Sequence, residues 1–165
     1  MSKRTDIRRL AMQALYQLDL RGEQDRDAIL DALCEDADDA ALGTEAFKLA
    51  EAAWQLHDQT DALATQLAPD WPTYRQPPLD RAILRLSYYE ITSERAPVKV
   101  AINEAVELAK AFCAEHSPAF INGVLDKMAR GEKGDAFEEG EAEEKPLSPE
   151  AWLADAVKDA GESPK

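Results

Sequence analysis

Between residues 4 and 20 the apolar positions recur at helical spacing. Ile7, Leu10, Ala11, Ala14, Leu15 and Leu18 follow the i, i+3, i+4 rule and make one stripe. Arg4, Arg8 and Arg9 fall off that stripe, Gln13 and Tyr16 continue beyond them at helical spacing, and Gly22 supplies a stop. A shorter helix is predicted from Asp27 to about Glu35 through Ile29, Leu30 and Leu33. The acidic residues 35–43 read as a loop. Thr44 then reads as the cap of a third helix, with Phe47 and Trp54 in it and a stripe of Leu49, Ala53, Leu56, Thr60, Leu63 and Leu67, running up to Pro69. Residues 69–78, PDWPTYRQPP, predict a non-helical connector, because each proline drives its predecessor out of the α region.

Pro78 suits the first turn of a helix. Leu79, Ile83 and Leu86 lie on one side of it and Leu84, Tyr88 and Ile91 on another, so two apolar faces predict a central, mostly buried helix. After Pro97 the stripe is Ile102, Ala105, Val106, Ala109, Phe112 and Cys113. Ser117-Pro118 reads as a cap and an N1 proline, opening a helix that presents Phe120, Ile121, Val124, Leu125 and Met128 and ends at Gly131. The expected fold is all-α, six or seven helices in two packed subdomains over residues 1–131. Residues 132–165 form the second region. An acidic, weakly hydrophobic stretch at 132–147 predicts a flexible linker, and Ser148-Pro149-Glu150 opens a short helix with Trp152, Leu153, Ala156 and Val157 on one face.

Charge sharpens this picture. The 165 residues carry a net charge of −14, which disfavours unspecific binding to nucleic acid or to an anionic membrane. The charge is uneven: residues 1–13 hold Lys3, Arg4, Arg8 and Arg9 against Asp6 alone, whereas residues 131–165 hold 11 Asp+Glu and 4 Lys+Arg. No apolar run reaches a membrane span and no apolar stretch follows the basic start, so a cytoplasmic protein is expected. Cys34 and Cys113 read as two reduced, buried thiols.

Catalytic chemistry is hard to assemble from this chain. The two histidines, His57 and His116, have no metal-ligand spacing with the cysteines, and there is no GxSxG, P-loop, GxGxxG or HExxH. No cofactor, metal or nucleophile is predicted. The arginine cluster of the first helix says more: Arg4 and Arg8, one turn apart with Lys3 and Arg9 beside them, can follow a phosphate backbone, or can form the solvated face of an amphipathic helix. Phe120 can stack an unpaired base or, at helical spacing with Val124, belong to the core.

The stretch KVAINEAVELAKAFCAEHSPAFINGVLDKMA, residues 99–129, resembles the last third of the NusB transcription antitermination family. RRLAMQALYQLDL, residues 8–20, resembles the family's first helix, and DRAILRLSYYEI, residues 80–91, its central one. The three blocks occur in family order and cover about residues 2–130. The resemblance implies a non-enzymatic factor that binds the boxA segment of leader RNA together with a small-subunit ribosomal protein acting as NusE. RNA polymerase and other Nus factors are then indirect partners in processive ribosomal-RNA transcription. It implies an RNA face of Lys3, Arg4, Arg8, Arg9, Gln13, His116 and Phe120, and a ribosomal-protein face with Tyr16 and Asp80. Two departures stand out: Asp6 interrupts the arginine run, and His116 stands where an acid is common in the family. A protein-interaction adaptor, whose arginines meet an acidic protein surface, is the alternative. The family offers no guide to residues 131–165. There the acidic stretch 138–144 is expected either to compete weakly with RNA for the basic patch or simply to solubilise.

Overall fold

A computed structural model describes residues 2–132 of the protein. The expected flexible linker and the Trp152 helix lie outside the described residues. Ser2 opens α1 (Lys3–Arg21) by accepting the Thr5 N–H on its hydroxyl at 3.2 Å. Gly22 closes it at φ +88, a conformation that side-chain-bearing residues rarely take. The whole predicted stripe of α1 is buried. After a 3₁₀ turn (Glu23–Asp25) comes α2 (Arg26–Asp36), which buries Ile29 and Leu33.

The structure corrects the next two elements. The loop after α2 is short, because α3 (Ala40–Gln55) already begins inside the acidic run. Its cap is Asp39, whose carboxylate accepts the Ala41 N–H at 2.9 Å. Thr44 lies inside the helix and donates its hydroxyl back to the Ala40 carbonyl. Gly43 is needed there for packing: a Cβ on it would stand 2.8 Å from the Cys34 Cα, so α2 and α3 approach at backbone distance. The single long helix expected up to Pro69 is two, α3 and α4 (His57–Leu67), broken at Leu56. The break is stabilised locally. His57 stacks on Trp54 with ring centroids 3.9 Å apart, and its Nδ1–H reaches the Trp54 carbonyl that the break releases.

A connector with one 3₁₀ turn (Thr73–Arg75) leads to α5 (Pro78–Thr92), with proline in its first turn as expected. Ten of its fifteen residues are buried, which makes it the central helix. It packs against α1 and α3 on one side and against α4, α6 (Val98–Phe112) and α7 (Ser117–Glu132) on the other, joining an α1–α3 unit to an α4–α7 unit. In α6 the buried face is Ala101, Ala105, Leu108 and Ala109, turned from the expected stripe so that Phe112 is 43 % exposed. Alanines let α6 lie close between its neighbours, and Leu108 supplies the bulk. In α7, Phe120, Ile121, Val124, Leu125 and Met128 are all buried as the spacing predicts. The helix continues through Gly131 to Glu132.

Candidate nucleic-acid and partner surfaces

Helices α1 and α5 run antiparallel, since Arg8 meets Glu90 and Asp19 meets Arg81. The start of α1 and the end of α5 therefore share one end of the molecule. Lys3 and Arg4 are exposed there and Arg9 is half-buried. Arg8 is not on a solvated face. Its residue exposure is 8 %, its Nε donates to both carboxylate oxygens of Glu90 at 3.1 and 3.0 Å, and Glu104 lies 4.0 Å from its Nη1. The correction has a clear cause: Glu90 is itself buried, and a carboxylate in that position requires a cation beside it. Arg4, Ile7, Arg8, Glu45, Glu90 and Arg95 line a cavity of about 230 Å³ at this end.

Farther along α1, Gln13 and Tyr16 line a more apolar groove of about 410 Å³. Its other walls include Leu33 of α2, Leu79 at the start of α5 and the exposed ring of Phe112. Residue spacing in the sequence could not show that Phe112 joins this groove; its periodicity pointed to the core.

The start of α7 meets the start of α5, at the end of the molecule opposite Arg4. Asp80 is 2 % exposed and accepts the Ser117 hydroxyl at 2.7 Å. It is thus a buried tie between α5 and α7, and Ser117 serves that tie in place of the cap expected of it. The surface contact expected of Asp80 with a ribosomal protein is not available in this conformation, because helix-to-helix packing occupies its carboxylate. Burial, with the charge and hydrogen bond of Asp80 adding to it, pushes the neighbouring Cys113 thiol up to about 12. Phe120 is 5 % exposed, its ring tilted against Trp71 at 6.4 Å. The same shielding corrects its expected place as an exposed stacking platform: the ring is core in this conformation. His116 is half-buried with its ring edge-on to Trp71 at 6.2 Å, and its Nε2 is buried with no hydrogen-bond partner. The expected RNA residues therefore fall into two groups, Lys3, Arg4, Arg8 and Arg9 at one end of α5 and His116 and Phe120 at the other, with Gln13 between.

Among the described residues no group of His, Cys, Asp and Glu could hold a metal ion, and no helix is long and apolar enough to cross a membrane. Six described α-helices around a buried central one, with a cationic end and an apolar groove, define a helical scaffold that presents recognition surfaces. The NusB family model matches residues 5–130. The transcription antitermination protein NusB of Symbiobacterium thermophilum is 40 % identical over 142 residues, covering 81 % of this chain and 93 % of its own. That of Herpetosiphon aurantiacus is 39 % identical over 132 residues, covering 77 % and 90 %. A solved structure of T. maritima NusB superimposes with a TM-score of 0.68 at 29 % identity, over 79 % of this chain and 92 % of its own. A chain from a structure of the antitermination factors NusB and NusE in complex with double-stranded RNA shares the fold, with a TM-score of 0.68 at 24 % identity over 79 % and 98 %. The chain belongs to the NusB family of transcription antitermination proteins.

Proposed function

We propose that this protein binds boxA-type single-stranded leader RNA jointly with a small-subunit ribosomal protein acting as NusE, in the cytoplasm and without catalysis, to support processive ribosomal-RNA transcription. RNA polymerase and the other Nus factors are then reached through that assembly. The observation that carries the reading is the placement of charge: a protein of net charge −14 keeps Lys3 and Arg4 exposed together at the start of α1. Phosphates there fix the strand, and bases are read beyond it. From that end a strand can follow α1 past Gln13 toward His116, a path of roughly 20–25 Å at 1.5 Å per helical residue. The groove of Tyr16 and Phe112 suits a protein partner, with an aromatic anchor at its rim.

The experiment is binding of a short boxA-like RNA, with and without the ribosomal protein, across a salt series. Arg4→Glu is expected to weaken RNA binding and flatten its salt dependence, while Tyr16→Asp weakens capture of the protein partner and spares RNA binding by the isolated chain. Partner binding without any RNA affinity, alone or in the pair, would favour the adaptor reading. Phe120→Ala separates the two roles of that ring: with the ring in the core, it lowers stability by about 3–5 kcal/mol and leaves the folded fraction's RNA affinity unchanged.

A further inference from the structure

The cavity at the cationic end holds an arginine that the first helix does not supply. Helix α5 ends in a paired-hydrogen-bond turn: the Glu94 N–H donates to the Ile91 carbonyl at 3.3 Å and the Arg95 N–H to the Glu90 carbonyl at 3.0 Å. Glu94, in the left-handed region at φ 56, makes that turn possible although glycine is the usual residue there. The consequence is positional. Arg95 is tied through its backbone to the residue whose carboxylate holds Arg8, and both line the cavity that Arg4 lines from α1. Glu90 is already engaged by Arg8, and the other acid of the lining, Glu45, has Lys3 4.0 Å away. Three arginines and two glutamates thus line a space of about 230 Å³, beside the positive end of the α1 dipole.

We propose that Arg4 and Arg95 together clamp one phosphodiester group of the bound RNA, with the Arg8–Glu90 pair as the floor of the site and Glu45 as its gatekeeper. The proposal deepens the RNA reading of the preceding section and rests on it. One uncompensated positive charge in the lining matches the single negative charge of a phosphodiester. Two guanidinium groups from different segments, one of them on a backbone fixed by a turn, hold an anion in register better than a lone side chain can. The site would make the end of α5 part of the RNA surface, which a basic first helix alone does not predict.

The test uses the full chain and Arg95→Gln, with exposed Arg75→Gln, at the other end of α5, as the control for loss of the same charge. RNA affinity is measured by fluorescence anisotropy across a salt series. Arg95→Gln is expected to weaken binding several-fold and to reduce the log–log salt slope by about 0.7, the value for one phosphate contact on a single strand. Arg75→Gln is expected to leave the slope unchanged, and Glu45→Gln to tighten binding. A second readout needs no RNA: titration with inorganic phosphate, followed by the side-chain Nε–Hε resonances of Arg4 and Arg95, should shift both together. Phosphate shifts at both arginines in a chain that fails to bind RNA would support the anion site and refute the RNA reading. Arg95→Gln and Arg75→Gln that match in affinity and slope, or an Arg95 resonance that phosphate leaves in place, would overturn the clamp.

Discussion

At one end of the α1–α5 seam an arginine of α1 meets a carboxylate of α5; at the other end the signs are exchanged. Arg8 and Glu90 are sealed, with side-chain exposures of 9 % and 3 %. At the far end Asp19 of α1 receives Arg81 and lies 3.3 Å from Arg85, while Arg85 forks onto Asp61 of α4 at 2.9 and 2.7 Å. There the carboxylates are more open, at 14 % and 24 %. The exchange of sign means that a parallel pairing of the two helices would set like charges against each other at both ends. The seam therefore specifies direction as well as binding the two halves. The difference in burial also divides the arginines by role: those of α5 and Arg8 are structural, and the charge left for a ligand is at the exposed rim.

The sealed end should be the more costly to break. Glu90→Gln keeps the shape but leaves the Arg8 guanidinium buried beside a neutral partner, and removal of one member of a buried pair costs about 3–5 kcal/mol. Urea denaturation monitored by circular dichroism reads this directly. The paired replacement Arg8→Met with Glu90→Leu should recover most of the loss, since neither desolvated charge remains. An unchanged denaturation midpoint for Glu90→Gln would contradict the burial argument.

At the open end the same type of change should cost less. Asp61→Asn removes a two-pronged acceptor from Arg85, but Asp19 stays 3.3 Å away and the replaced carboxylate is itself partly open to water, so a loss of about 1.5–3 kcal/mol is expected. Burial alone would lower the Arg85 pKa, but Asp61 and then Asp19 more than offset it and hold it above its ordinary value. Its charge therefore stays throughout the accessible range, and the seam does not loosen by deprotonation of this arginine. If Asp61→Asn proves as costly as Glu90→Gln, burial is not what distinguishes the two ends.

These two ends also show what a sequence discloses. The stripe of α1 was legible because periodicity is a local property, and so were the two faces of α5 and the apolar face of α7. The fate of Arg8 was not, because its partner stands 82 residues away and nothing near Arg8 announces a buried acid. Ser117 reads locally as a cap and Asp80 as a partner contact only through the family resemblance, whereas tertiary packing joins them to one another. The break at Leu56 carries neither proline nor glycine to announce it; a stacked Trp54–His57 pair accompanies it instead. The family blocks disclosed more than periodicity did, since they pointed to the fold and to the cationic end together.

The start of α5 offers a subtler contrast with the Arg8 end, through Cys113. Its folded pKa is raised from 9.0 to about 12, chiefly by burial and then by Asp80. The folded state thus favours the protonated thiol. That contribution to stability is complete below pH 9 and is lost as pH climbs toward 12. Cys113→Ala should accordingly flatten the decline of stability across that window. At pH 8.5, iodoacetamide should label Cys113 far more slowly in the folded protein than in urea, as followed by peptide mass spectrometry. Equal rates in the two states would remove the shielded thiol.

The smallest expected effect concerns the region beyond α7. Short connections make α5 antiparallel to α6 and α6 antiparallel to α7, so α5 and α7 run the same way. The chain therefore leaves α7 toward the end of the molecule where Arg4 and Arg95 lie. Residues 138–144 hold five glutamates and no base, a short distance along the chain from Glu132. That composition, following a helix that ends toward the cationic surface, predicts weak competition with RNA, which raises specificity because only a well-fitting ligand displaces it. A chain ending at Arg130 should then melt as cooperatively as the full protein and bind RNA more tightly at low salt. The gain should shrink as salt screens the attraction. Neutralising the five glutamates to glutamine in the full chain should reproduce it, since charge and not the mere presence of the segment is responsible. Equal affinities of all three proteins at low salt would leave these residues as a solubilising extension.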